Sequence, residues 1–295
     1  MGDRLPAARQ DSLAGAVERI TGQAVREWRS VGGSHGAAHH RCRLDGGREL
    51  FVKSVSSRDG MAELTAEANG LRWLGEADAV PVPEVTFCED GLLGVAWTSS
   101  GTADPTSAEH FGRDLAALHA AGAGSFGAPW PGFIAGLALP NDQASAWPEW
   151  YAERRLLPYS KIARDTGGFG AADVAVIGSV ADRIAGLAGP AERPARIHGD
   201  CWSGNVLWSG GRGWLIDPAA HGGHRETDLA MLALFGAPYL DRVLAAYQEV
   251  APLAAGWQDR VPLHQLHPLL VHVCLFGGGY RQSALAAARA ALAAG

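Results

Sequence analysis

Apolar residues recur along this chain with two different periods. Up to about residue 98, short segments alternate apolar and polar positions, a pattern that predicts β-strands. From Thr106 onward, apolar residues recur every three or four positions, a pattern that predicts amphipathic helices. The sequence therefore predicts an α+β fold, with a small antiparallel sheet first and a mostly helical part after it.

The predicted elements of the two parts differ in kind. The first part contains two helices and five strands: helices 11–21 and 61–75, and strands 25–31, 40–44, 49–55, 83–89 and 91–98. The second part is predicted as helices 107–121, 147–163, 171–187, 226–235, 239–250, 259–276 and 280–293. The segment 122–148, rich in Gly, Ala and Pro, is predicted as an irregular insert that roofs a substrate site.

The most informative stretch is His-Gly-Asp-Cys-Trp-Ser-Gly-Asn at residues 198–205, followed by an Asp-Pro pair at 217–218. It places Asp200, Asn205 and Asp217 at the ends of short apolar runs. Segments 206–209 and 213–216 flank a Gly-Gly-Arg turn and predict a hairpin, which would bring Asn205 and Asp217 together. Each polar residue alone is typical of a surface loop, but the set has the spacing of a magnesium-nucleotide site in protein-kinase-like enzymes.

The chemistry of phosphoryl transfer gives each residue of the set a role. The charge on the transferred group must be neutralised, and the attacking hydroxyl must be aimed and relieved of its proton. Asp200 is the candidate catalytic base, and the hard oxygens of Asn205 and Asp217 are the candidate ligands of Mg²⁺. ATP and Mg²⁺ are therefore the predicted cofactors.

A single lysine stands near the end of the apolar strand 49–55. Lys53 is predicted to bind the α and β phosphates, although a strand lysine that simply faces solvent is the alternative. Glu67, in the predicted helix 61–75, would pair with Lys53 and fix its position. Glu63 lies one turn earlier on nearly the same face and stays open as the partner.

Two further segments are candidates for nucleotide binding. In segment 32–38, the backbone N–H groups at Gly32, Gly33 and Ser34 could close over phosphate oxygens, with a plain hairpin turn as the alternative. The apolar pattern is lost at 96–101, which predicts a hinge. Three residues there would hold adenine through backbone groups: Ala96, Trp97 and Thr98. We therefore place an N-terminal nucleotide-binding lobe at 1–98 and a C-terminal catalytic and substrate-binding lobe at 99–295.

The run at 198–205, Asp-Pro-Ala at 217–219 and Gly-His-Arg-Glu-Thr-Asp-Leu-Ala-Met at 223–231 resemble the fructosamine kinase (ketosamine-3-kinase) family. This family belongs to the wider group of aminoglycoside and choline kinase-like phosphotransferases, and the resemblance runs from Gly32 to Tyr280. It implies a two-lobed protein-kinase-like fold and phosphorylation of a sugar hydroxyl, the 3-hydroxyl, of fructosamine- or ribulosamine-type ketoamines. The chain departs from the family pattern at Cys201, at Val271, and by lacking a cysteine in segment 32–38.

Four other side chains have candidate roles near this motif. Trp202 neighbours Asp200, so its indole could stack on a sugar, with core packing as the alternative. The resemblance places His272 near the acceptor pocket, again with core packing as the alternative. His198 and Asp228 are predicted to be structural, one shaping the catalytic loop and the other anchoring it from the start of a helix. No acidic or cysteine set accompanies the histidines at 264, 267 and 272, so no zinc site is predicted.

Composition excludes several classes of partner. With 25 basic against 31 acidic residues, a net charge of −6 and no dense basic run, neither nucleic acid nor an anionic membrane is indicated. The chain has no apolar run of membrane-spanning length and four widely spaced cysteines, which favours a reducing cytoplasm. The expected partner is a small ketoamine or glycated amine, and the oligomeric state stays open. An aminoglycoside, choline or other small-alcohol kinase, and a nucleotide-binding pseudokinase scaffold, are the alternatives.

Overall fold

The computed structural model describes residues 7–295 and begins with an antiparallel sheet. Its strands are β1 (Val25–Ser34), β2 (Ala37–Leu44), β3 (Glu49–Ser54), β4 (Val85–Glu89) and β5 (Leu92–Ala96), in the order β1-β2-β3-β5-β4. Two helices, α1 (Ala7–Thr21) and α2 (Arg58–Gly75), pack on opposite faces. Adjacent side chains of a strand point to opposite faces of the sheet, so Leu92 packs with the α1 core and Leu93 with the α2 core. The predicted first part is confirmed.

The glycine-rich segment is more regular than the sequence predicts. Gly32, Gly33 and Ser34 are the last residues of β1, and only two residues separate β1 from β2. A β-bulge between Ser30 and Gly32 and the positive φ of Gly32, 134°, allow the strand to continue. A Cβ on Gly33 would lie 2.7 Å from the carbonyl oxygen of Ala37, so only glycine permits this close pairing. The segment is therefore a tight hairpin, the alternative that the sequence leaves open.

The second part of the chain is mostly helical, as predicted. Its helices are α3 (Pro105–Ala121), α4 (Trp147–Tyr151), α5 (Leu157–Asp165), α6 (Ala171–Leu187), α7 (Glu226–Phe235), α8 (Leu240–Val250), α9 (Trp257–Phe276) and α10 (Arg281–Ala294). The single helix predicted at 147–163 is divided, because a π-helical turn (Ala152–Leu156) lies between α4 and α5. Among the described residues, none of the helices combines the length and the apolar character needed to cross a membrane.

Three two-stranded sheets complete this part. Their strands are β6 (Gly132–Ile134), β7 (Leu137–Leu139), β8 (Ala195–Ile197), β9 (Val206–Ser209), β10 (Arg212–Leu215) and β11 (His221–Gly223). Hairpin β9–β10 is the predicted one, with Gly210 and Gly211 in its turn. Hairpin β6–β7 corrects the prediction that 122–148 is wholly irregular, and β8 pairs with β11. Strands of three residues are too short to show an alternating pattern.

The chain leaves the sheet at Ala96 and enters α3 at Pro105, so the predicted lobe boundary falls between these two elements. Asp104 caps α3 by accepting a hydrogen bond from the Ser107 amide at 2.8 Å. Helix α3 then packs tightly against α8 at Gly112. A Cβ on Gly112 would lie 2.3 Å from the carbonyl oxygen of Val243. The backbones of α3 and α8 are therefore in direct contact, which only glycine allows.

This contact predicts opposite effects for two Gly→Ala substitutions. Gly112→Ala should lower the free energy of unfolding by roughly 2 kcal/mol or more, because α3 and α8 must move apart. Gly178, inside α6, would place its new Cβ in open space. Gly178→Ala should therefore raise the free energy of unfolding by about 0.5–1 kcal/mol through helix propensity. Urea unfolding followed by circular dichroism measures both, and equal effects would refute the α3–α8 contact.

Candidate functional site

A cleft of about 360 Å³ lies between the five-stranded sheet and the helical part of the chain. Its walls come from hairpin β1–β2, helix α2, hairpin β6–β7 and the segments around residues 200–205 and 216–220. Five side chains predicted for phosphoryl transfer line this one cleft: Lys53, Glu67, Asp200, Asn205 and Asp217. The structure thus brings together residues that are far apart in the sequence, and part of the 122–148 insert lies on the same cleft.

The ammonium group of Lys53 contacts two carboxylates. Its Nζ lies 2.8 Å from Oε2 of Glu67 and 2.8 Å from Oδ1 of Asp217. Lys53 belongs to β3, Glu67 to α2 and Asp217 to the segment after β10, so one cation joins three parts of the chain. Of the two glutamates that the sequence leaves open, Glu67 is the one in contact with Lys53, while Glu63 lines the cleft one helical turn away.

Burial and charge oppose each other at these three groups. Burial would lower the pKa of Lys53, but the charges of Glu67 and Asp217 outweigh burial and raise it. Burial raises the pKa of Glu67, against the effect of the Lys53 charge. Burial would also raise the pKa of Asp217, but the charge and hydrogen bond of Lys53 hold it below its ordinary value. Asp217 is therefore a carboxylate at neutral pH, the form that binds a cation.

Hairpin β9–β10 positions Asn205 and Asp217. The hairpin pairs Val206 with Leu215, and the amide of Ile216 donates to the carbonyl of Asn205 at 3.1 Å. Asn205 and Asp217 therefore flank the open end of one hairpin, as the sequence spacing predicts. The backbone of Asp217 is left-handed, with φ of 53°, a conformation that Asp and Asn tolerate better than most residues.

Asp200 and Asn205 are joined side chain to side chain. The amide nitrogen of Asn205 donates to Oδ2 of Asp200 at 2.8 Å and to the Asp200 carbonyl at 2.9 Å. Because its nitrogen is used in this way, the atom that Asn205 can offer to a cation is its amide oxygen. Burial raises the pKa of Asp200 to about 7, with the charges of Asp217 and Asp228 adding to burial and the Asn205 hydrogen bond opposing it.

Two buried residues fix the loop that carries Asp200. Asp228 accepts hydrogen bonds from the backbone N–H groups of His198 and Gly199, at 2.7 and 2.9 Å. His198 donates from Nε2 to the Ile216 carbonyl at 2.9 Å, and its Nδ1 accepts from the Asp200 amide at 3.3 Å. Burial lowers the pKa of His198, so the ring is neutral, as these two bonds require. Both residues are predicted to be structural, and these are the contacts through which they would hold the loop.

His119 supports this arrangement and was missed by the sequence analysis. Its Nε2 lies 3.2 Å from Oδ2 of Asp228, and its Nδ1 lies 2.8 Å from the hydroxyl of Tyr247. His119 is buried on the face of α3, where apolar residues predominate. A histidine among apolar positions of a predicted helix is the only sequence signal of this contact, and it does not identify the partner.

Trp202 lines the cleft beside Asp200, and its side chain is partly exposed. Its ring folds over Gly204, where a Cβ would lie 2.2 Å from the indole, so Gly204 is required for this position. The indole also meets Phe235 edge to face, with ring centroids 6.1 Å apart. His272 does not line the cleft, but its ring contacts Phe235 at 4.9 Å.

Of the candidate nucleotide-binding residues in the glycine-rich segment and the hinge, one lines the cleft and the others do not. Ser34 lines the cleft, whereas Gly32 and Gly33 do not, nor do Ala96, Trp97 and Thr98. The N–H of Ala96 already donates to the Glu84 carbonyl at 2.9 Å, and the N–H of Trp97 to the Glu49 carbonyl at 3.0 Å. Adenine could therefore be held at the hinge through carbonyl groups or the N–H of Thr98, but not through these two donors.

A group of His224, Glu226 and His264 lies buried outside the cleft, with potential ligand atoms within 4.8 Å of one another. The sequence pattern shows no acidic set beside the histidines, whereas the fold brings Glu226 next to His224 and His264. However, both oxygens of Glu226 accept hydrogen bonds from the Arg260 guanidinium, at 2.9 and 2.6 Å. A metal ion would have to displace this ion pair, so the geometry favours a structural Arg–Glu pair flanked by histidines.

Comparisons with known proteins agree with this site. The sequence matches the fructosamine kinase family model over residues 10–294. It is 33% identical over 283 residues to a probable ketoamine kinase from Synechocystis. The aligned residues cover 92% of this chain and 93% of that protein.

Solved structures show the same relationship. A candidate fructosamine-3-kinase from Thermobifida fusca superposes with a TM-score of 0.93 at 52% identity, covering 96% of this chain and 99% of that one. An ADP-bound aminoglycoside phosphotransferase has a TM-score of 0.64 at 14% identity over 98% of both chains, which shows the fold alone. The predicted two-lobed, protein-kinase-like α+β fold is thereby confirmed. The chain belongs to the fructosamine kinase family and is a phosphotransferase.

Proposed function

We propose that this protein is an ATP- and Mg²⁺-dependent kinase that phosphorylates a sugar hydroxyl of ketoamines, the 3-hydroxyl by family resemblance. The observation that carries the proposal is the single cleft in which Lys53, paired with Glu67, faces Asp217, and Asp200 is bonded to Asn205. This is the set of charges that phosphoryl transfer needs.

The side chains fit Mg²⁺ by their chemistry. Asn205 and Asp217 offer hard oxygen donors from the two sides of one hairpin end, and Mg²⁺ prefers one or two such protein ligands. When bound, Mg²⁺ would neutralise negative charge on the phosphate oxygens. Lys53, held by Glu67, would place its ammonium against the α and β phosphates of ATP.

Asp200 would act on the acceptor. Its carboxylate would accept a hydrogen bond from the attacking hydroxyl, aim that oxygen at the γ-phosphorus, and take the proton as the new P–O bond forms. The hydrogen bond from Asn205 and the anchoring of the loop by Asp228 keep the carboxylate in one orientation. Catalysis would then depend on positioning, since the protein forms no covalent bond to the phosphoryl group.

The acceptor would be a ketoamine because of the surface beside Asp200. Trp202 offers a flat apolar face there, suited to a sugar ring with an apolar substituent. A polycationic aminoglycoside would need a run of acidic residues at its site. Of the acidic residues that line this cleft, Glu67, Asp200 and Asp217 are engaged with Lys53 or Asn205, which leaves Glu63 alone and no acidic run. A pseudokinase scaffold is disfavoured, since all five kinase positions are filled and lie together.

Asp217→Asn should lower turnover by at least on the order of 10²-fold, the usual loss when one electrostatic stabiliser is removed. The fold should survive, because Asn also tolerates the left-handed backbone at this position. Asp90→Asn is a matched control, since Asp90 has a φ of 54° but lies in the β4–β5 turn. Turnover is measured at saturating ATP and Mg²⁺, with melting temperatures of both variants. Near-normal turnover by folded Asp217→Asn would remove the support for this ligand.

Asp200→Asn and Lys53→Met should have different kinetic effects. Asp200→Asn should reduce kcat while leaving ATP affinity nearly unchanged, because only proton acceptance is lost. Lys53→Met should raise the KM for ATP as well.

Lys53→Met also leaves the buried Glu67 carboxylate without its cation, so its melting temperature should fall. The double variant Lys53→Met, Glu67→Gln removes this unpaired charge and separates stability from nucleotide binding. Weakened ATP binding by Asp200→Asn, with unchanged kcat at saturating ATP, would show that the two roles are assigned wrongly.

Trp202→Ala should raise the KM for a ketoamine roughly tenfold or more, as expected for the loss of about 1.4 kcal/mol of stacking, and leave the KM for ATP almost unchanged. Trp202→Phe keeps a flat ring and should give a smaller increase. Steady-state kinetics with fructosamine, ribulosamine and erythrulosamine adducts, beside kanamycin and choline, measure these effects. Far better turnover of kanamycin or choline than of any ketoamine would favour the wider-group alternative.

A further inference from the structure

A continuous strip of aromatic rings runs from the cleft to the outer surface. We call the following five side chains the aromatic strip: Trp202, Phe235, His272, Phe276 and Tyr280. Ring centroids are 6.1 Å apart for Trp202 and Phe235, and 4.9 Å apart for Phe235 and His272. His272 then contacts Phe276 at 5.6 Å and Tyr280 at 4.7 Å. The strip begins beside the candidate base and ends at the junction of α9 and α10.

Both ends of the aromatic strip are exposed. Trp202 is 38% exposed at the cleft, and Phe276 is 63% exposed at the far end, the largest fraction among the exposed large hydrophobic residues in the described part of the chain. Single exposed apolar residues are common, but a connected row of rings that leads out of an active-site cleft indicates a binding surface.

The rings are held in place before any ligand arrives. Trp202 rests on Gly204, and Phe235 is the last residue of α7. The ring of His272 is fixed because its Nδ1 donates to the Pro268 carbonyl of the preceding helical turn, at 2.8 Å. A pre-ordered aromatic surface binds a ligand with a smaller loss of conformational freedom than a flexible one.

A ketoamine has three parts that match this geometry. With the sugar hydroxyl at Asp200 and the sugar ring on Trp202, the amine and its substituent must leave the cleft along one of its walls. The amine is a cation at neutral pH, and aromatic faces attract cations. An apolar substituent beyond the amine would then meet Phe235 first, and a longer one would extend past His272 to Phe276.

From this continuity we propose that the aromatic strip binds the amine substituent of the ketoamine and makes the enzyme selective for small ketoamines whose substituent is apolar or aromatic. The inference rests on the proposed function and adds the class of substituent to it. The five side chains include no carboxylate and no lysine or arginine, so a substituent that carries a carboxylate gains no ion pair there. Phe276, at the exposed end, should affect selectivity without affecting the reaction itself.

The test compares two substrates that share one sugar: the fructosamines of 4-phenylbutylamine, which is long enough to extend past His272, and of methylamine. Phe276→Ala should raise the KM for the 4-phenylbutylamine compound roughly five- to tenfold and leave the KM for the methylamine compound, both kcat values and the KM for ATP unchanged. Because Phe276 is exposed, the variant should fold normally, which its melting temperature checks. Val250→Ala, which alters an exposed apolar residue on α8, is the control and should change neither substrate.

Several outcomes would overturn the inference. Equal KM changes for the two fructosamines, or no change for either, would refute selectivity by the aromatic strip and leave the proposed function standing. If Phe276→Ala changed only the phosphorylation of a glycated protein, the aromatic strip would be a docking surface for proteins. If the wild-type protein sedimented as a dimer and the Phe276→Ala variant as a monomer, the strip would bind a second copy of this chain. Failure of the wild-type protein to phosphorylate these fructosamines and also the ribulosamine and erythrulosamine adducts of the same amines would refute the proposed function itself.

Discussion

The ammonium group of Lys53, shared between Glu67 and Asp217, is the interaction on which the cleft depends. The cation comes from the sheet and its partners from α2 and from the segment after β10, so it fixes the distance between the two halves of the molecule. One positive charge faces two carboxylates, and the site therefore keeps an excess of negative charge. This excess makes a further cation favourable in the same place, because an uncompensated buried charge is costly.

The buried carboxylate of Asp228 fixes the catalytic loop, just as Lys53 fixes the two halves of the molecule relative to each other. Asp228 holds two consecutive backbone N–H groups, and His119 binds the same carboxylate from α3. Asp228 is buried, so its hydrogen bonds do not compete with water and hold the loop more strongly than exposed ones would. The position of Asp200 is therefore determined by the packing of α3 and α7, two helices that have no residue among those lining the cleft.

Sequence alone predicts the parts of this molecule that depend on local pattern. The hairpin that joins Asn205 to Asp217 and the strand that carries Lys53 follow from alternation and turn residues within about ten positions. The contacts of His119 with Asp228, and of Glu226 with Arg260, join elements that only the folded core brings together. The composition of segment 32–38 hides its strand pairing, so the sequence leaves a phosphate-binding loop and a plain hairpin turn as alternatives. The geometry of the five kinase residues agrees with the sequence, while their chemical roles stay predictions.

The left-handed backbone of Asp217 also limits how this protein can change during evolution. Most side chains are strained at a positive φ, whereas Asn and Gly are not. A descendant that lost the selection for catalysis would therefore replace Asp217 most easily by Asn or Gly. Alanine, usually the mildest replacement, would add backbone strain to the loss of the ion pair with Lys53. With Asp217 as the proposed ligand of Mg²⁺, Asn or Gly at this position in a relative would be expected to accompany a loss of activity with the fold preserved.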